Sequence, residues 1–99
     1  MNVSDFMKAN LSEIKNIILN LPAEFSSHDF IEKFSKKYES DYIDMLVDYK
    51  GREAFKTVHS QVAKFLSLNM KYLGINKRDK DSSEHVFGEL DVIQWWKKI

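Results

Sequence analysis

The stretch from Arg52 to Tyr72, REAFKTVHSQVAKFLSLNMKY, constrains the fold more than any other part of the chain. Phe55, Val58, Val62, Phe65, Leu66, Asn69 and Leu73 follow one another at intervals of three and four with one extra neighbour, which marks the buried face of a helix. Asn69 is the only polar member of that seam. On the far side Lys56, Ser60, Lys64, Ser67 and Lys71 recur at spacings of four, four, three and four, so small hydroxyls separate three ammonium groups. A helix with one apolar side needs a core supplied by its neighbours, and the remaining segments have to be read as that support.

The first helix is expected from Ser4, as N-cap, to about Asn20, with Met7, Leu11, Ile14, Ile18 and Leu21 as its seam and Ile17 widening it. Pro22 ends it, because proline disfavours a helical residue before it and has no N–H to continue the ladder. Phe25-Ser26-Ser27-His28-Asp29-Phe30 reads as a start signal: Ser26 caps, Asp29 returns a bond to the cap, and Phe25 and Phe30 staple the entry. Phe30, Ile31, Phe34 and Tyr38 then face inward. Ser40 is expected to cap a short third helix with Ile43, Leu46 and Val47 as its apolar side, together with Tyr42 or Tyr49. Asp41, Asp44 and Asp48 share its other face, and Gly51 stops it. The long helix begins at Arg52, or at Val58 with Thr57 as cap, and ends at Gly74.

Beyond Leu73 the period changes. Leu73, Ile75 and Lys77 suggest a strand, Arg78 to Ser83 a polar loop, and Glu84 to Phe87 and Val92 to Trp96 two β-prone runs around Gly88-Glu89-Leu90-Asp91. The expected class is therefore mainly α with a C-terminal β-hairpin, and no strand pairing before Leu73 beyond a short bridge near Phe25. Phe34, Val62, Phe65 and Trp95 are the expected core, with Trp96 on the opposite and more open face of its strand.

Composition sets the outer limits. Ninety-nine residues with 43% hydrophobic and 13% aromatic content suit a single packed domain spanning 1–99. The chain has no Cys, which removes disulfides, thiolate metal sites and cysteine nucleophiles. MNVSDFMKAN lacks the basic cluster and apolar run of a signal peptide, and no apolar run could span a bilayer, so a cytoplasmic protein is expected. Fifteen basic and fifteen acidic residues cancel, yet their distribution is polarised. Arg52 to Lys80 holds seven bases against two acids, whereas Pro22 to Gly51 holds seven acids against four lysines.

This order of elements, about four helices followed by a two- or three-strand ribbon with a polar, basic last helix, resembles the winged helix-turn-helix superfamily. The resemblance covers Ser4 to Lys98 and implies that Thr57 to Asn69 is a recognition helix for the major groove of double-stranded DNA, in a transcriptional regulator or phage-type accessory factor. Candidate contacts are Lys56, Thr57, His59, Ser60, Gln61, Lys64 and Lys71 on the helix, with Lys77 and Arg78 at the following strand. Gln can pair with adenine, Lys with guanine or phosphate, and Ser or Thr with either, so the set has reading chemistry as well as charge. The loop Gly88-Glu89-Leu90-Asp91 is acidic where a DNA-contacting wing carries bases, which makes Lys77-Arg78-Asp79-Lys80 the better candidate.

Enzymatic and metal readings find little to build on. His28, His59 and His85 lie 31 and 26 residues apart without a second ligand at chelating spacing. Asp79-Lys80-Asp81-Ser82-Ser83 opens like a calcium loop, but Glu84 stands where glycine is required and Leu90 where the bidentate acid belongs. No nucleophile motif is present, and no cofactor is implied. The rival reading is a protein-interaction module that uses the acidic third helix with Tyr42, Tyr49 or Trp96 toward a partner or a second copy. Where the acids lie separates the two readings: acids away from the long helix favour DNA, and acids bordering it favour a protein.

Overall fold

The computed structural model describes residues 2–84 and 90–99. The described residues form six helices, α1 (Val3–Ala9), α2 (Leu11–Leu19), α3 (Ser27–Lys37), α4 (Glu39–Asp48), α5 (Ala54–Leu68) and α6 (Met70–Leu73), and a three-stranded antiparallel sheet. Its strands are β1 (Glu24–Ser26), β2 (Ile75–Glu84) and β3 (Leu90–Lys98), in the order β1-β3-β2. The α+β class and the C-terminal ribbon follow the sequence reading, and the expected bridge near Phe25 is β1, which sets Phe25 opposite Trp96.

Two expected continuous helices are broken, each at an asparagine. Asn10 separates α1 from α2 and Asn69 separates α5 from α6. In each case the side-chain amide donates to the carbonyl four residues back, Phe6 O at 2.8 Å and Phe65 O at 2.9 Å. Asparagine competes with the backbone for such partners, which is why it bends or ends helices. The first helix is capped by Asn2 rather than Ser4, with the Asp5 N–H donating to Asn2 Oδ1 at 3.1 Å. The start of α3 is as the sequence indicates: Asp29 N–H donates to Ser26 Oγ at 3.0 Å, and Ser26 N–H donates to Asp29 Oδ2 at 2.9 Å. α5 begins with Glu53 in the left-handed region at φ 50°, so Thr57 lies inside the helix instead of capping it. Gly74, at φ 69°, ends α6 as expected.

α4 departs most from the sequence reading. It starts at Glu39 behind Tyr38, not behind Ser40, and its buried residues are Tyr42 and Met45. Of the expected apolar side, Tyr42 is buried and Leu46 packs against the core, whereas Ile43 and Val47 are exposed. The reason is chemical: α4 packs on α5, and a phenol turned inward there finds a polar partner on that helix, as described below. The ribbon differs too. Arg78 to Ser83, expected as a loop, forms the middle of β2, with an irregular register between Arg78 and Asp81. Such a bulge accommodates an extra residue and bends the strand. Leu90 and Asp91 belong to β3, while the rest of the expected hairpin loop and His85 to Phe87 lie outside the described residues.

The tryptophans are exchanged relative to expectation. Trp96 is 1% exposed, and its indole N–H donates to Ser27 Oγ at 2.9 Å. Ser27 Oγ in turn donates to Gln94 O at 3.1 Å. Trp95 is half-buried, with the Arg78 guanidinium 4.9 Å from its ring centre. The buried face of β3 is the one on which Trp96 meets Phe25. Every element contributes to one core, in which Phe30, Phe34, Val58, Val62 and Leu66 are fully buried and Phe65 nearly so. Burying each large apolar side chain contributes about 1.5–3 kcal/mol. The C-terminus is tied to this core: Lys98 Nζ donates to Leu19 O and Leu21 O, closing the end of α2.

Candidate functional site

α5 packs against α1, α3 and α4 and presents one side to solvent. Lys56, Ser60 and Lys64 lie on that side, and Lys71 continues it on α6. Lys56, Lys64 and Lys71 form no ion pair among the described residues, and neither does Lys77, which is exposed on β2. The phase that buries Val58, Val62, Phe65 and Leu66 is the phase that turns Lys56 and Lys64 outward, so their placement follows directly from packing. Phe55, expected in the seam, is 44% exposed.

The other sequence candidates are held by internal bonds. His59 Nε2 lies 2.6 Å from Tyr42 Oη, and the two rings stack at 5.9 Å. Burial raises the Tyr42 phenol above its ordinary pKa, so at neutral pH it keeps its proton and can donate it to the imidazole. Gln61 Nε2 donates to Tyr49 Oη at 2.8 Å, and the Arg52 guanidinium sits 5.0 Å from the Tyr49 ring centre. Thr57 Oγ1 donates to Arg52 O at 2.9 Å. Arg78 is engaged by Asp81 at 3.3 Å, by Glu24 at 3.8 Å and by the Trp95 ring.

The candidate set therefore divides in two. Lys56, Ser60, Lys64, Lys71 and Lys77 are displayed, whereas Thr57, His59, Gln61 and Arg78 are engaged within the fold. The tethers, Tyr42 on α4 and Tyr49 at its C-terminal cap, are not legible as such in the sequence. Their only signal is a spacing of seven, two turns of one helix face, opposite polar residues on α5. They also bring the acidic α4 directly against α5. Beside Lys64 a shallow hollow of about 380 Å³ is lined by Asn2, Ser4, Tyr49, Gln61 and Leu68. Tyr42 and Trp96, two of the expected partner contacts, are buried and cannot present a surface, while Tyr49 is half-buried.

Among the described residues no group of three His, Asp or Glu side chains is placed to hold a metal ion, and no helix is long and apolar enough to cross a membrane. No family model matches the chain, and neither a curated protein nor a solved structure matches it.

Proposed function

We propose that this chain is a winged-helix protein that binds double-stranded DNA through α5 and α6, held mainly by phosphates. The observation that carries the reading is the solvent side of those helices, where Lys56, Lys64 and Lys71 stand without acidic partners and with Ser60 among them. Support comes also from the order of elements: a short strand between the helices pairs with the last strand of a ribbon that follows the basic helix. Phosphate contact needs displayed charge and little else, whereas base reading needs free amide and imidazole groups. With His59 engaged by Tyr42 of α4 and Gln61 by Tyr49 just after it, the balance lies toward positioning on the backbone rather than discrimination between sequences.

Lys64→Ala and Gln61→Ala test this reading together. Lys64→Ala weakens binding to every duplex and flattens the log–log salt slope by about one unit, and Gln61→Ala leaves the slope unchanged. A Lys64→Ala variant with the wild-type slope would place the contact elsewhere. A protein-interaction module is the second reading, favoured by one observation: the acids of α4 border the long helix instead of lying away from it.

A further inference from the structure

Two exposed patches on this chain share one pattern with opposite charge. On α4, Ile43 and Val47 lie one turn apart and are 49% and 61% exposed. α4 carries four acids and no base, and Glu39 and Asp44 are exposed without partners among the described residues. The inner side of α4 is already filled by Tyr42 and Met45, so folding does not require this aliphatic pair. Where α5 meets α6, Leu68 and Tyr72 also lie one turn apart and are 72% and 47% exposed. They line, with Asn69 and Lys71, an open concavity of about 460 Å³. Lys64 stands one turn before Leu68, and Lys15 Nζ lies 5.0 Å from the Tyr72 ring centre.

Like patches cannot pair across two copies, since α4 on α4 sets acids against acids, and the second patch on itself sets lysines against lysines. Only the cross-pairing joins opposite charges around two apolar pairs. We propose that the occupant of each patch is a second copy of this chain: α4 of one molecule docks on the Leu68–Tyr72 patch of the next, with Ile43 and Val47 entering the concavity and Glu39 and Asp44 facing Lys64 and Lys71. One molecule offers both halves of the contact, so two copies can exchange it reciprocally and further copies can add to a free half. Its small apolar area makes it weak, and its exposed charges make it salt-sensitive. It shares Lys64 and Lys71 with the proposed DNA face, so duplex DNA competes with it, but the association itself needs no DNA.

Sedimentation of the full chain without DNA tests this proposal separately from the DNA reading. The wild-type weight-average mass rises from 11.7 kDa to at least twice that value between micromolar and about millimolar protein, and returns to the monomer at about 1 M salt. A Glu39→Lys/Asp44→Lys variant and a Lys64→Glu/Lys71→Glu variant each stay monomeric alone, because each now opposes like charges. Mixed in equal amounts they associate again, since lysines on one α4 meet glutamates on the other chain's patch. All four positions are exposed, and the rescue on mixing itself requires that both variants be folded. A wild-type chain that stays monomeric throughout, single variants that associate like wild type, or a mixture that stays monomeric overturns the proposal.

Discussion

Ser26→Ala removes two interactions at once, and their sum separates this fold from a simple capping effect. Ser26 Oγ accepts from the Asp29 N–H at 3.0 Å, and loss of an N-cap of this kind costs about 1 kcal/mol. The same oxygen lies 2.6 Å from Ser83 Oγ, which is buried at 7% exposure and has Ser26 as its hydroxyl partner. Leaving a buried hydroxyl unpaired costs a further 1–3 kcal/mol or so, giving a total of about 2–4 kcal/mol. For a domain of this size that is a large part of the whole stability, and it corresponds to a melting temperature roughly 10–25 °C lower. The assay is urea unfolding followed by circular dichroism, with Ser83→Ala and the double variant completing a cycle. Ser83→Ala costs about 1 kcal/mol in the wild-type background, but once Ser26 is gone it recovers about 1 kcal/mol or more, because the unpaired hydroxyl leaves with it. A loss of only about 1 kcal/mol for Ser26→Ala, additive with Ser83→Ala, would show that the Ser26–Ser83 hydrogen bond does not form in solution. An unchanged midpoint would show that α3 starts elsewhere.

The remaining predictions concern tryptophan, tyrosine and the basic face. Trp96→Ala costs about 3–5 kcal/mol, and Trp95→Phe, at the half-buried position, costs much less while removing most of the fluorescence accessible to acrylamide; the opposite pattern would invert the face of β3. Burial raises the phenols of Tyr38 and Tyr42 above their usual pKa of about 10, so the unfolded chain releases these protons first. Their contribution to stability is complete below about pH 10 and is lost as the pH rises further; urea midpoints that stay flat to higher pH, or tyrosinate absorbance that rises in one normal step, would contradict this. Lys56→Ala, like Lys64→Ala, weakens DNA binding without changing the unfolding midpoint by more than about 0.5 kcal/mol, which a parallel denaturation curve checks.

What the sequence reveals depends on whether a signal is local. The capping box at Ser26, the stop at Gly74 and the period of α5 are written within a few residues of where they act, and each is found where it is read. The outward lysines follow from that period, because fixing Val62 and Phe65 inside fixes Lys56 and Lys64 outside. Signals that depend on a distant partner are less legible. Tyr42 turns inward toward His59 on α5, which rotates α4 so that Tyr42, Met45 and Leu46 meet the core and Ile43 and Val47 are left in solvent. Trp96 rather than Trp95 is buried because Ser27 and Phe25 lie under that face of β3, a fact of sheet register and not of the VIQWW run. The polar run Arg78 to Ser83 looks like a loop because its pairing energy comes from β3 and from the Trp95 ring over which Arg78 lies. The same blindness affects the site, where the charges were readable and the tethers on Gln61 and His59 were not.

The central claim is that the exposed lysines of α5, α6 and β2 meet DNA phosphates, and a salt titration of binding to a random-sequence duplex tests it most directly. With Lys56, Lys64, Lys71 and Lys77 available and Arg78 engaged within the fold, about three to four phosphates are neutralised, for a log–log slope of roughly −3 to −3.5. Affinity then falls about 60- to 130-fold between roughly 50 and 200 mM salt. No binding to duplex at about 50 mM salt, or binding whose affinity is indifferent to salt, would contradict the claim.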